Sequence, residues 1–316
     1  MRNLTKLTSQ IQHGQRLQGR KTYYNVIDRL SRKRDNLWLA RDPEEKVVLI
    51  KTAPLPRFNN EVEALELCRG QKSIRQLLDV TESPRSMVLE FLDTNLYSAS
   101  GEQQLERQDV KRAIKAALEG LAVLHHDRRA HTDMKPDNLL ANRGSGESRF
   151  GDIKLGDLGD SVSEDVSTNT GQHIISAPIY RAPEVMLNIR WTTAVDIWSL
   201  GATLICYLLR RHIFVPRDVE PGDERFPFLV LMLQTKYFGP FPEKFFQLLD
   251  DEGAAVLRYV LNECDGETEI FSKAGPEKIS REDKDFICYL MRPDPRDRPS
   301  SIEALRHPWL EDVNAC

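Results

Sequence analysis

The sequence predicts an α+β chain in two lobes: a small, mostly β N-terminal lobe with one helix, and a larger, mostly α lobe behind it. Three observations lead there. Short runs rich in β-branched and aromatic residues crowd the stretch from Tyr24 to Phe91. Apolar residues then recur at helical spacing from Asp109 to His125. A segment from Ala194 to Leu209 is apolar nearly all round and belongs in the interior of the larger lobe.

Residues 1–22 are polar with little periodicity and read as a lead-in, either flexible or capping a strand. Tyr24–Ile27, Leu37–Ala40 and Val47–Ile50 are expected to be antiparallel strands, separated by charged turns that include Asp42-Pro43. Asn60–Leu67 is expected to be helical, and Ile74–Val80 and Met87–Phe91 to be strands. Leu92–Tyr97 reads as a hinge and the start of the next lobe. The expected boundaries are therefore 1–22 for the lead-in, 23–92 for the small lobe with its hinge, and 93–316 for the large lobe; a single domain covers about 24–310. Val110, Ile114, Leu118, Leu121 and Leu124 mark one face of the 109–125 helix, with Asp109 as its expected N-cap. Arg211–Asp285 reads as helices with long loops, and Ile302–Leu310 as a short final helix.

A chain of 316 residues can bury a sizeable core. A formal net charge of −4 gives no bulk reason to expect nucleic-acid binding. The basic residues near the front (Arg16, Arg20, Lys21, Arg29, Arg32, Lys33, Arg34) read as a solvated face, with a polyanion site as the alternative. Cys68, Cys206, Cys264, Cys288 and Cys316 form no Cys-x-x-Cys pair, so neither zinc nor a disulfide framework is expected. That usage fits a reducing compartment, the cytoplasm or nucleus. No signal-peptide pattern is visible, and the longest apolar run, near Ile197–Leu209, is too short to cross a bilayer. No membrane partner is expected.

The chemistry concentrates in His131-Thr132-Asp133-Met134-Lys135-Pro136-Asp137-Asn138. This short stretch holds a carboxylate, an ammonium and a carboxamide. Phosphoryl transfer from ATP uses that set: Asp133 can orient a hydroxyl and accept its proton, Lys135 can neutralise the moving phosphoryl group, and Asn138 can hold a metal ion. Asp157-Leu158-Gly159 supplies a second carboxylate suited to Mg²⁺. Val48-Leu49-Ile50-Lys51, Ala182-Pro183-Glu184, Asp196-Ile197-Trp198-Ser199-Leu200-Gly201 and Arg296-Asp297-Arg298-Pro299 complete a series in one order. That order and spacing resemble a eukaryotic protein kinase. Thr132 between His131 and Asp133, Asp-Leu-Gly at 157–159, Tyr180-Arg181, the phrase from Trp191 to Trp198 and the ending Leu305-Arg306-His307-Pro308-Trp309-Leu310 resemble the serine–arginine protein kinases and related short fungal kinase-like proteins.

The resemblance implies a bilobal protein-kinase-like fold that uses ATP and Mg²⁺ to phosphorylate serine or threonine hydroxyls of a protein. Asp133 and Lys135 would be catalytic, with Lys51 gripping the α- and β-phosphates. Glu61 would pair with Lys51, and Glu63 is the alternative. Leu37, Leu49, Lys51, Leu89, Glu90, Leu92 and Leu140 would contact the nucleotide, and Asn138 and Asp157 the metal. Leu65, Leu77, His131 and Leu158 would stack in a hydrophobic column. Asp196 would accept hydrogen bonds from the catalytic-loop backbone, and Glu184 would form a buried ion pair with Arg298. A basic, arginine–serine-rich substrate is implied for a monomeric enzyme. Asp218, Glu220, Asp223 and Glu224 are either its docking cluster or a solvated loop. Thr132 cannot pair with a loop phosphate, so Ser161, Ser163, Ser167 and Thr168 read as plain loop residues. The Ala-Pro-Glu segment argues against a small-molecule kinase.

Three departures from the family pattern leave a pseudokinase, a binding or regulatory module, as the alternative. Ser31-Arg32-Lys33-Arg34-Asp35-Asn36 contains none of the glycines that let backbone amides approach phosphates. The basic side chains either compensate or mark a hairpin that no longer binds phosphate. Leu49 replaces an alanine that packs on adenine, adding bulk to the pocket roof. Ala177 replaces a threonine that ties the activation segment to the catalytic residues; Ser176 substitutes for it only if the loop register shifts.

Overall fold

A computed structural model describes residues 11–31, 35–144, 148–164, 174–217, 219–264, 271 and 279–314. The chain divides into two compact units. Unit 1 holds the residues up to Asp93 together with Asp157–Asp160, and unit 2 holds Thr94–Gly156 and the chain from Ser161 onward. Arg32–Arg34, Ser167, Thr168, Asp218 and Cys316 lie outside the described residues.

Unit 1 is built on an antiparallel six-stranded sheet with the order β1-β2-β3-β4-β6-β5. Its strands are β1 (Arg16–Gln18), β2 (Tyr23–Arg29), β3 (Leu37–Arg41), β4 (Val47–Lys51), β5 (Leu77–Glu82) and β6 (Arg85–Glu90). Strand residues alternate between two faces. Trp38, Ala40, Val48, Ile50 and Val88 point one way, into a core with Ile11, Leu17, Tyr24 and Val26. The register pairs Leu39 with Leu49, Leu49 with Leu89, and Leu37 with Lys51. Those residues share the opposite face, so Leu37, Leu49, Lys51 and Leu89 lie side by side.

Part of the polar lead-in belongs to this sheet. Leu17 is fully buried, and the buried Asp79 carboxylate accepts the Arg20 and Lys21 backbone N–H groups and the Tyr24 hydroxyl. The alternation is one residue deep in β1, too short to register as a period. Helix α1 (Leu55–Leu67) starts earlier than Asn60. Pro54 and Pro56 sit at its start, where a proline's missing N–H costs nothing. It buries Phe58, Glu61, Ala64 and Leu65 on one stripe.

Unit 2 carries β7 (Thr94–Asn95), β9 (Leu139–Arg143) and β10 (Phe150–Leu155) in one small sheet, and β8 (Arg129–Ala130) paired with β11 (Val162–Ser163). Its helices are α2 (Leu96–Glu102), α3 (Arg107–His126), α4 (Pro183–Met186), α5 (Ala194–Leu209), α6 (Phe226–Phe238), α7 (Asp251–Glu263), α8 (Arg281–Leu290) and α9 (Ser301–Leu305). Asp109 is not the N-cap of α3. Glu106 takes that place without a side-chain bond, and Asp109 lies buried in the first turn, where burial pushes its carboxyl up. Asp250, Ser280 and Ser300 do cap α7, α8 and α9, the last with Glu303 in a reciprocal capping box. Helix α5 spans the residues expected and buries Val195 through Tyr207. Cys68, Cys206, Cys264 and Cys288 are not joined in disulfides. Among the described residues no helix is long and apolar enough to cross a membrane.

Candidate active site

In unit 1, Lys51 closes β4 with its ammonium nearly buried. Nζ lies 2.7 Å from Glu61 Oε1 and 2.6 Å from Asp157 Oδ1. The partner on α1 is thus Glu61, not Glu63. Glu61 sits in the buried stripe of the helix, at 1 % exposure, whereas Glu63 is exposed. Burial pushes the Glu61 carboxyl up, and the Lys51 charge opposes it. The other oxygen, Oε2, has no hydrogen-bond partner among the described residues. Asp157 holds a left-handed backbone at φ 60°, an uncommon state for a non-glycine residue. α1 braces the segment after it: Arg57 donates to Asp160 at 2.8 Å, and Asn60 donates to the Gly159 carbonyl at 2.9 Å. A Cβ at Gly159 would meet Arg57 Nε at 2.6 Å and Glu61 Oε2 at 3.1 Å, so a larger residue there would push the Arg57 side chain aside.

Leu37, Leu49, Leu89 and Leu92 are buried, and Glu90 is half-buried. Two neighbours escaped sequence reasoning. Leu39 faces Leu49 across the ladder, a place visible only once register is known. Arg75 Nε donates to the Glu90 carbonyl at 2.8 Å. Burial pushes the Arg75 guanidinium down to about 10, and the charges of Glu61, Glu90 and Asp157 oppose it.

In unit 2, the loop from His131 to Asn138 hangs on Asp196, buried in the first turn of α5. Its carboxylate accepts the His131 N–H at 2.7 Å and the Thr132 N–H at 2.9 Å, and contacts His125 Nε2 at 2.9 Å. The expected anchor is therefore present. Thr132 sits at φ 62°, a genuine outlier for a β-branched residue. Lys135 Nζ lies 2.7 Å from Asp133 Oδ2, and Asn138 Nδ2 donates to the Asp133 carbonyl at 2.7 Å and to Oδ2 at 3.1 Å. One Asp133 oxygen is thereby pinned while Oδ1 stays out of these bonds. Asn138 likewise spends its NH₂ on Asp133 and keeps its oxygen for other use. Leu140, on β9, pairs with Lys154 and Asn95 in the small sheet and is half-buried.

Ser176, not Ala177, reaches the catalytic loop: its Oγ donates to the Thr132 carbonyl at 2.8 Å. Arg181 holds that bend by donating to the carbonyls of Ile175 and Ser176. Glu184 and Arg298 form the expected buried pair, bidentate at 2.6 and 2.7 Å, with Arg298 also stacked over Trp198. Ser161 is buried under Arg129, which donates to its carbonyl and hydroxyl. The acidic cluster reads as a solvated loop: Glu220 and Glu224 are exposed, and Asp223 pairs with Arg225, whose hydrogen bonds pull its carboxyl down to about 2.

The residues suit a hard divalent cation. Among the described residues no three acid, histidine or cysteine side chains converge as a metal cage. Mg²⁺ rarely has such a cage; it takes one or two protein oxygens and completes its shell with phosphate and water. Asp157 in unit 1 and Asn138 in unit 2 each carry a side-chain oxygen of the kind such an ion takes.

The family model of the protein kinase domain matches residues 43–310. The chain belongs to the protein kinases. It is 26% identical over 255 residues to the human dual specificity protein kinase CLK4, covering 71% of this chain and 50% of that protein. It is 29% identical over 272 residues to the mitogen-activated protein kinase MKC1 of Candida albicans, covering 81% and 50%. This kinase chain spans about half the length of both relatives. Membership fits the β-rich unit 1 and helical unit 2, and accounts for the buried Glu184–Arg298 and Asp196 anchors as parts of the kinase fold.

Proposed function

We propose that this chain is a Mg²⁺-ATP-dependent serine/threonine protein kinase. The observation that carries the reading is the Asp133 carboxylate, pinned by Lys135 and Asn138 on a backbone that Asp196 fixes. A preorganised base costs nothing to orient at the moment of reaction. In this reading Lys51 holds the α- and β-phosphates and is itself oriented by Glu61. Asp157 and Asn138 hold Mg²⁺, which when bound offsets the charge building on the phosphates. Asp133 Oδ1 accepts the hydroxyl proton as the oxygen attacks, and Lys135 neutralises the transferred group. Leu37, Leu49, Leu89, Leu92 and Leu140 contact the nucleotide, with the Glu90 carbonyl accepting from the adenine amine. Arginine–serine-rich proteins are the proposed substrates, on the resemblance of the catalytic loop, and the cytoplasm or nucleus is the proposed place of action.

A second reading, a pseudokinase, is favoured by Arg75 on the Glu90 carbonyl and by the leucine at position 49. One experiment separates the two. Thermal stabilisation by Mg²⁺-ATP is measured first, then transfer of labelled phosphate to an arginine–serine peptide, with Asp133→Asn as control. Stabilisation with Asp133-dependent transfer supports the kinase. Stabilisation without transfer favours the pseudokinase, and the absence of both signals favours a nucleotide-free scaffold.

A further inference from the structure

Helix α6 reads Phe-Pro-Phe-Leu-Val-Leu-Met-Leu-Gln-Thr-Lys-Tyr-Phe, more apolar side chains than one buried face can absorb. Phe226, Val230, Leu231, Gln234 and Thr235 take the interior. Leu229, Met232, Leu233, Lys236 and Tyr237 form a second stripe, spaced i, i+3, i+4, i+7 and i+8, and stay half-buried. This stripe walls a cavity of about 540 Å³ inside unit 2. The facing wall comes from residues 211–217, with Val215 46% exposed at the rim.

The charge on this lining is one-sided. Among the described residues, Arg211 and Arg217 border the cavity and one acid, Glu263, lines it. His212 also lines it, but its Nδ1 is bonded to the Tyr180 hydroxyl, and burial lowers its tendency to charge. Arg211 and Arg217 are exposed and make no ion pair among the described residues. Guanidinium groups match carboxylates in bidentate geometry, and the volume falls within the range of small-ligand pockets.

We propose that this cavity docks an acidic peptide segment of a partner protein, with one aliphatic or aromatic side chain seated on the α6 stripe and flanking carboxylates on Arg211 and Arg217. The same charges repel arginine–serine peptides, so the site is separate from the substrate preference proposed above. It also does not depend on phosphate transfer.

The test is a fluorescence anisotropy titration of the full chain with a labelled peptide of Asp and Glu around a Leu-Phe pair. A matched peptide with Lys at every acid serves as control. Saturable binding of the acidic peptide alone, weakened about tenfold between about 50 and 300 mM salt, is the expected result. The double variant Arg211→Glu, Arg217→Glu should abolish it with an unchanged melting temperature, and Leu233→Ser should weaken it at every salt concentration. Three results would overturn the proposal: no binding, equal binding of the Lys peptide, or full binding to the charge-reversed variant.

Discussion

The Ser176 hydroxyl donates to the Thr132 carbonyl at 2.8 Å, joining the segment before Ala-Pro-Glu to the catalytic loop. Ser176 stands at φ 64° and Thr132 at φ 62°, so two uncommon backbone states meet across one bond. Such states cost of order 1–3 kcal/mol each and persist only where the surroundings hold them. Here Asp196 holds one and Arg181 the other. The shift of one residue lets a serine do the tethering that the sequence at 177 no longer can.

Ser176→Ala should therefore loosen the position of Asp133 without touching the unit 1 residues proposed to bind the nucleotide. The expected outcome is a fall in kcat of about tenfold, the rate equivalent of roughly 1.4 kcal/mol, with the Mg²⁺-ATP thermal shift unchanged. Steady-state kinetics and melting curves read both. An unchanged kcat would show that the bond is structural only.

Arg298→Met should be among the costliest substitutions in unit 2. Glu184 and Arg298 are both fully buried, and removing the cation leaves a carboxylate with no counter-charge. Such stranding costs about 3–5 kcal/mol. Urea unfolding should show that loss. The double variant with Glu184→Gln should recover much of it, because no charge is then left behind. Failure of the double variant to recover would mean that Arg298 acts through its bonds to the Arg292, Pro293 and Ala194 carbonyls instead.

Asp283 gives unit 2 an acid-sensitive clasp. Burial alone would raise its pKa, but the Trp309 indole N–H at 2.6 Å, Ser280 and Arg107 favour the carboxylate and hold it below the usual range. A depressed folded pKa contributes stability that is present above the unfolded value and lost as pH falls through the folded one. Acid titration should thus loosen the clasp below about pH 4, the ordinary aspartate range, followed by Trp309 fluorescence. Asp283→Asn should flatten that part of the stability–pH curve at a cost of about 1–3 kcal/mol near neutrality. A curve of unchanged shape would remove Asp283 as the cause.

Much of this arrangement was legible in the sequence because it is local. Helix α5 announces itself by being apolar all round, and Asp133, Lys135 and Asn138 converge because they share one short loop. What was hidden depends on partners distant in sequence. β1 was missed because one buried residue, Leu17, makes no pattern, and its anchor Asp79 lies far along the chain. Asp109 looked like a cap because the helix starts two residues before it. Glu61 and Glu63 could not be told apart until the face of α1 was fixed. Leu39 and Arg75 carry no motif, and strand register or side-chain reach alone puts them near Leu49 and Glu90.

Arg75 yields the sharpest forecast for nucleotide binding. Its Nε occupies the Glu90 carbonyl, the acceptor that the proposed function assigns to the adenine amine. ATP must share or displace that donor. Arg75→Leu frees the acceptor, and a net hydrogen bond of about 1 kcal/mol corresponds to roughly fivefold tighter Kd. The opposing effect is the loss of a cation near Glu61 and Asp157, which would weaken attraction for the phosphates. Isothermal titration with ATP and with inosine triphosphate, which lacks the amine, separates the two. A gain for ATP alone means that the hinge carbonyl was the obstacle. A loss for both nucleotides means that Arg75 serves the phosphate end, and the carbonyl argument fails.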